Sequence, residues 1–312
     1  MANALAFVFP GQGSQSLGML GDLDQAHASV RTCFEEASEA TGVDLWALSQ
    51  QGPEAQLNQT EFTQPALLAA GIAVWRVWRD LGGPQPQWLA GHSLGEYTAL
   101  VASGALSLAQ GVRLVRLRGQ LMQGATPDGL GAMAAVLGAD EALVREVCEQ
   151  AAQAQVLVPA NFNSPGQIVI GGHAEAIDRA LALLAERGVR KAVKLAVSVP
   201  SHTPLMRDEA NRLAEAMASL DWREPQIPVV HNVDAQVHPD VASIQQVLAR
   251  QLYQPVQWID CVQTLTDHGV TRMAECGPGK VLSGLVRRID KSIDMRALGT
   301  LAGMEESLEA WS

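Results

Sequence analysis

Apolar and polar positions follow two different periods along the chain. Ala4-Leu5-Ala6-Phe7-Val8-Phe9 is an unbroken apolar run closed by Pro10-Gly11-Gln12-Gly13, which predicts a buried strand entering a glycine-bearing loop. Helical spacing follows over 27–40 and 65–80. In the second segment Leu67, Leu68, Ile72, Trp75 and Trp78 share one face, and Gly82-Gly83-Pro84 ends it. Trp88-Leu89-Ala90 reads as a strand leading into a turn around Ser93, with a helix expected from Glu96 to Ala102. Leu108 to Met122 has helical apolar spacing.

The middle of the chain has its own rhythm. Strands are expected over 131–138, 167–172 and 191–199, with helices over 140–153 and 174–187 between them. This β-α-β-α-β run reads as a compact insertion at 127–199, leaving 1–126 and 200–312 as one larger part. A helix near 204–219 and the apolar strand Ile227-Pro228-Val229-Val230 resume that part. Strands alternating with helices predict an α/β fold whose parallel or mixed sheet is covered on both faces.

Composition narrows the functional classes. At roughly 150 residues per domain, 312 residues make about two structural units or one large α/β domain with an insertion. A 47% hydrophobic, 18% charged chain is an ordinary globular protein, and a net charge of −11 argues against general nucleic-acid binding. Cys33, Cys148, Cys261 and Cys276 form no C-x-x-C pair and have no accompanying His cluster, which argues against a zinc site. Met1 to Phe9 lacks the basic region and long apolar stretch of a signal peptide, and no apolar run approaches roughly 18 residues. The expectation is a cytoplasmic monomer with reduced thiols and no membrane partner.

Gly91-His92-Ser93-Leu94-Gly95 matches G-x-S-x-G. In that pattern a serine on a sharp strand-to-helix turn is held out of the sheet, and the flanking glycines allow close backbone approach. The helix start directs free N–H groups toward charge developing on a substrate oxygen. A serine hydroxyl needs a base. Of seven histidines, His27, His238 and His268 lie in polar surroundings, His173 in a loop, and His92 beside the serine as a structural or pocket-lining residue. His202, in a loop after a strand, leads His231 only narrowly.

Arg118 gives the clue to substrate. At 100° per residue, Leu108, Val112, Leu114, Val115, Leu117, Leu121 and Met122 form one arc; Arg113 and Arg116 lie opposite, and Arg118 falls inside the apolar arc. Gly119 beside it makes room. A buried guanidinium keeps its proton and needs an anionic partner. An internal Asp or Glu and a substrate carboxylate held by the guanidinium fork satisfy that equally.

Phe9-Pro10-Gly11-Gln12-Gly13-Ser14-Gln15, Gly91 to Tyr97, Arg118, Asn161-Phe162-Asn163-Ser164-Pro165-Gly166-Gln167, Val199-Pro200-Ser201-His202 and Glu275-Cys276-Gly277-Pro278-Gly279-Lys280 follow one another as in malonyl-CoA:acyl-carrier-protein transacylases. The chain resembles that family from about residue 4 to about 290. The resemblance implies a large α/β-hydrolase-like part with a small ferredoxin-like insertion. It implies that Ser93 attacks malonyl-CoA with His202 as base, and that Arg118 holds the malonyl carboxylate. It further implies that the Gln12 and Leu94 amides form the oxyanion hole, that the Gln251 backbone carbonyl orients His202, and that Gln64 and Asn161 belong to the pocket. No bound cofactor or metal is implied. The resemblance implies malonyl-CoA as the substrate and acyl carrier protein, through its phosphopantetheine thiol, as the partner.

Two other readings compete. A serine hydrolase or thioesterase would run Ser, acid, His, with Asp178 or Asp128 as acid. A non-catalytic module would keep the fold only to dock a carrier. Ser201, before the histidine, does not decide between malonyl and methylmalonyl. For an acidic carrier, two basic clusters are candidates: Arg187, Arg190, Lys191 and Lys194, and Lys280, Arg287, Arg288 and Lys291.

Overall fold

The computed structural model describes residues 4–127, 129–197 and 199–311. It contains two sheets. Strands β1 (Ala4–Phe9) and β2 (Trp88–Gly91) belong to the first. Strands β3 (Gly131–Leu137), β4 (Leu157–Ser164), β5 (Gln167–His173) and β6 (Lys191–Lys194) form the second. Strands β7 (Val229–Val230), β8 (Val270–Glu275) and β9 (Asp294–Ala297) return to the first. The first sheet is parallel, in the order β7-β2-β1-β8-β9; the second is antiparallel, in the order β4-β5-β3-β6.

The apolar run of β1 is explained by burial on both faces. Leu5, Phe7 and Phe9 join a core with helices Ser29–Thr41, Thr60–Asp80, Leu94–Ala102 and Leu108–Gly124. Ala6 and Val8 point the other way, into a core with Trp258–Asp267 and Val281–Ile289. Period two across a parallel sheet thus sends alternate residues into separate layers. Strands β3 and β5 divide similarly. Ala132, Ala134, Val136, Ile168 and Ile170 pack into a third core with helices Glu141–Ala152 and Ala174–Glu186. Met133 and Val169 face the opposite side, with Ala160.

Several expected elements shift. The run over 131–199 is β-α-β-β-α-β, because β4 was not expected. It contains Pro159 and two asparagines, and Pro159 is tolerated because β4 is an edge strand whose register slips there. The last strand stops at Lys194. The helix expected at 65–80 begins at Thr60, with Pro65 inside it. Pro65 lacks the N–H that would reach back to Glu61, but Thr63 Oγ1 donates to the carbonyls of Leu57 and Gln59 and ties the extra turn down. That turn carries Thr60 and Gln64 toward the site. The helix expected at 204–219 is a 3-10 turn, Pro204–Met206, followed by Arg207–Ala218, and the strand expected at 227–230 is only Val229–Val230.

The four cysteines are buried and free. Among the described residues, no helix is long and apolar enough to cross a membrane, and no group of three or more His, Cys, Asp or Glu is placed to hold a metal ion.

Candidate active site

Ser93 stands between β2 and the helix Leu94–Ala102, with φ 52° and ψ −105°. Non-glycine residues rarely adopt positive φ, and such strain gathers at functional sites. The glycines of the turn admit no side chain. A Cβ on Gly91 would overlap the Gly95 carbonyl, and one on Gly95 would overlap the Phe9 carbonyl oxygen. Gly95→Ala is therefore expected to cost about 1–3 kcal/mol, as overpacking does, lowering the midpoint of thermal unfolding. Gly284→Ala is the control. It lies inside the helix Val281–Ile289 with open space around it, and is expected to hold or raise that midpoint.

His202 also has positive φ, 61°. Its Nε2 lies 2.8 Å from Ser93 Oγ, and its Nδ1 lies 2.6 Å from the Gln251 backbone oxygen. A carbonyl only accepts, so the imidazole proton sits on Nδ1 and the Nε2 lone pair faces the serine. Arg118 Nη2 donates to Ser93 Oγ at 3.1 Å. The serine hydroxyl therefore directs its own proton at His202. Burial first, and the Arg118 charge second, pull the His202 pKa down to about 3. The imidazole is neutral, the form that general-base work requires.

Arg118 is 1% exposed. Its partners are neutral: Nη1 donates to Gln64 Oε1 at 2.8 Å, and Nη2 donates to Gln251 Oε1 at 2.9 Å and to Ser93. The guanidinium also lies over the Tyr97 ring, 5.2 Å from its centroid. Of the two partners left open by the sequence, no Asp or Glu is hydrogen-bonded to Arg118 among the described residues. Gly119 makes room for something other than Arg118, since a Cβ there would meet Thr60 O at 2.6 Å. It admits the start of the helix Thr60–Asp80.

These groups open onto a cavity of about 310 Å³ between the two sheets, lined by Ser93, His202 and Arg118 together with Met133, Ala135 and Val169 from β3 and β5. Gln12, Leu94 and Asn161 also line it. Leu94 heads its helix, where amides have no intrahelical acceptor. Gln64 departs from the expectation of a pocket residue. It is 1% exposed and reaches the site through its hydrogen bond to Arg118 and not as part of the cavity wall.

The remaining histidines separate. His92 lines the cavity with Nε2 2.7 Å from Asn163 Oδ1, and burial lowers its pKa. His231 points Nδ1 at Glu96 Oε1, 2.6 Å away, and not at Ser93. Sequence reasoning missed Glu96 and Asn232. Asn232 Oδ1 accepts from the Ser93 amide at 2.7 Å, and its Nδ2 donates to the Gly91 carbonyl at 2.7 Å. A contact between positions 139 apart leaves no local signal.

Asp178, a candidate acid for a hydrolase triad, pairs instead with Lys194 at 2.9 Å, and the His202 position an acid would take is filled by the Gln251 carbonyl. Asp128 lies outside the described residues. In the first basic cluster Arg187 and Lys194 are engaged by Glu146 and Asp178. In the second, Arg288 Nη1 donates to Oε1 of Gln167, which lines the cavity, at 2.5 Å.

Residues 6–306 match the family described as acyl transferase domain. The chain is 50% identical over 303 residues to the malonyl CoA-acyl carrier protein transacylase of Salmonella typhimurium, covering 97% of this chain and 98% of that protein. It is similar to the crystal structure of malonyl-CoA:acyl carrier protein transacylase from Xanthomonas oryzae pv. oryzae, at 70% identity and a TM-score of 0.99, covering 100% of this chain and 99% of that one. A solved complex of a type II PKS acyl-carrier protein with its malonyl-transacylase matches at 49% identity and a TM-score of 0.97, over 98% of this chain and 99% of that one.

Proposed function

The chain belongs to the acyl transferase domain family, and on that premise we propose that it moves a malonyl group from malonyl-CoA to the phosphopantetheine thiol of acyl carrier protein, for fatty-acid synthesis. The carrier is the partner, in keeping with the solved carrier complex of a similar enzyme. The observation that carries this reading is Arg118, a buried cation 3.1 Å from the nucleophile with neutral partners. Such a site suits an acyl group ending in a carboxylate.

The cycle has two matched halves. Ser93 Oγ attacks the thioester carbonyl while His202 Nε2 takes its proton; the C–S bond breaks, and the proton passes to the departing CoA sulfur. The carrier thiol then gives its proton to His202 and attacks the malonyl ester, and Ser93 recovers the proton as the C–O bond breaks. The amides of Gln12 and Leu94 receive the oxyanion in both halves. The Gln251 carbonyl takes the orienting role of a triad acid, and Asn161 shapes the pocket wall. The cycle as written draws on substrates alone.

In this reading the larger part, 1–126 and 200–312, is α/β-hydrolase-like, and 127–199 is a ferredoxin-like subdomain. The separate core and β-α-β-β-α-β order of the second sheet support that division. Arg288, tied to the cavity wall through Gln167, favours the C-terminal basic cluster as the carrier's approach.

A side-by-side assay with malonyl-, methylmalonyl- and acetyl-CoA and holo acyl carrier protein tests the function. Malonyl is expected to transfer fastest, with an acyl-enzyme that survives in water until a thiol arrives. Rapid hydrolysis without a thiol would establish the hydrolase instead.

A further inference from the structure

We propose that Glu96 is a positioning residue for this transfer, acting through Gln251 and Asn232 on the serine turn, the base and the guanidinium together. The inference rests on the reading of Ser93, His202 and Arg118 given above. Glu96 lies in the first turn of the serine's helix and is fully buried. A carboxylate there is costly unless its oxygens are satisfied. Oε1 accepts from His231 Nδ1 at 2.6 Å, and Oε2 accepts from the Asn232 amide at 3.0 Å and Gln251 Nε2 at 2.8 Å.

Two of these donors lead straight to the reacting groups. The Asn232 carboxamide spans the turn from the Gly91 carbonyl to the Ser93 amide, holding the strained serine from both sides. Gln251 is engaged at every polar atom of its side chain. Nε2 is shared between Glu96 and the Ser93 carbonyl, at 2.8 and 2.9 Å, while Oε1 accepts from Arg118 at 2.9 Å. Its backbone oxygen holds His202 Nδ1. The amide is thus oriented with its oxygen toward the cation and its nitrogen toward the anion, an arrangement that the reversed amide would break at both ends. Burial works against the Arg118 charge, and Tyr97 first and Glu96 after it oppose that cost. Glu96 stands one residue removed from nucleophile, base and carboxylate clamp at once.

Glu96→Gln separates charge from position. Its carboxamide oxygen can face Gln251 and Asn232 while its NH2 faces His231. His231 can accept by moving its proton to Nε2, which has no hydrogen-bonding partner among the described residues. Glu96→Ala removes the anchor. Gln251→Met removes the relay but keeps the backbone carbonyl.

The full-length wild type and these variants would be compared by malonyl transfer kinetics, by the rate of Ser93 malonylation in intact-mass spectra, and by thermal unfolding. Glu96→Ala and Gln251→Met are each expected to lower kcat by about 10²-fold, the size of a small misplacement of reacting groups. Glu96→Gln should stay within about tenfold of wild type. The double variant Glu96→Ala/Gln251→Met should be no worse than the poorer single, because the two act in one chain. Wild-type kcat in Gln251→Met, or losses that multiply in the double variant, would overturn the proposal. So would a Glu96→Ala enzyme that unfolds earlier yet malonylates at the wild-type rate per folded molecule. If Glu96→Ala does not fold, Gln251→Met and its double variant with Glu96→Gln decide alone. Failure of the wild type to become malonylated on Ser93 would instead refute the transfer reading itself.

Discussion

Ser93→Ala is expected to lower malonyl transfer by about 10⁴–10⁶-fold, the scale on which a serine nucleophile acting as a unit with its histidine fails. The structure gives the reason. Ser93 Oγ receives a hydrogen bond from Arg118 Nη2 at 3.1 Å and directs its proton to His202 Nε2 at 2.8 Å. The same hydroxyl is therefore prepared as an oxyanion by a cation and as a proton donor to a neutral base. Among the described residues no other hydroxyl takes that place. Thr60 and Ser201 line the cavity too, but neither is hydrogen-bonded to His202. The variant should fold, because the bonds that hold the turn are made by backbone groups: the Ser93 amide to Asn232 and the Ser93 carbonyl to Gln251. The measurement is exposure to radiolabelled malonyl-CoA followed by denaturing separation. Label on the wild type and none on Ser93→Ala is the expected result, whereas persistent covalent label would mean another nucleophile.

What could be read from the sequence divides by the range of the interaction that decides it. The apolar run of β1 and the arc of Leu108 to Met122 are local patterns, and the structure places both as expected. Ser93 and Arg118 were legible for the same reason, since a five-residue turn and one helix face carry their signals. Strand β4 was hidden because its edge position tolerates Pro159, an allowance only the finished sheet makes. Strand β8 was hidden by Arg272 and Glu275. The latter is buried, accepting from the amides of Leu282 and Ser283 at the start of the next helix. His202 led His231 only narrowly from sequence, since both were expected in loops after strands. One meets Ser93 across 109 positions and the other meets Glu96 across 135. Gln251 was placed only by family resemblance, for a backbone oxygen carries no side-chain signature.

The two residues with positive φ on either side of the key hydrogen bond point to a shared design. Ser93 and His202 are both held in a conformation that their own side chains disfavour. The hydrogen bonds of Asn232 to the serine turn and of Leu252 O to the His202 amide, at 2.9 Å, hold them there. Stability around the site is spent on geometry, so in the proposed cycle Ser93 and His202 are already paired before substrate arrives.

Arg118→Ala should separate malonyl from acetyl substrates. A charge-assisted, two-pronged contact in a buried site contributes about 2–5 kcal/mol when one partner is removed, which is about 30- to 5,000-fold in kcat/KM for malonyl-CoA. Acetyl-CoA has no carboxylate to lose, and its rate should fall far less. Arg118→Lys is expected to resemble the alanine variant, because a single ammonium cannot reproduce the fork that reaches Gln64, Gln251 and the substrate together. Equal losses for the two substrates would make Arg118 a structural residue. The same variant carries a pH signature. His202 is held near 3 first by burial and then by the Arg118 charge. Removing that cation makes the imidazolium less unfavourable, so the pKa of His202 rises. A base works only above its pKa, and the acid limb of kcat/KM for acetyl-CoA should therefore move to higher pH in Arg118→Ala than in the wild type. An unmoved acid limb would mean that Arg118 does not act on the base, and would confine its role to the carboxylate.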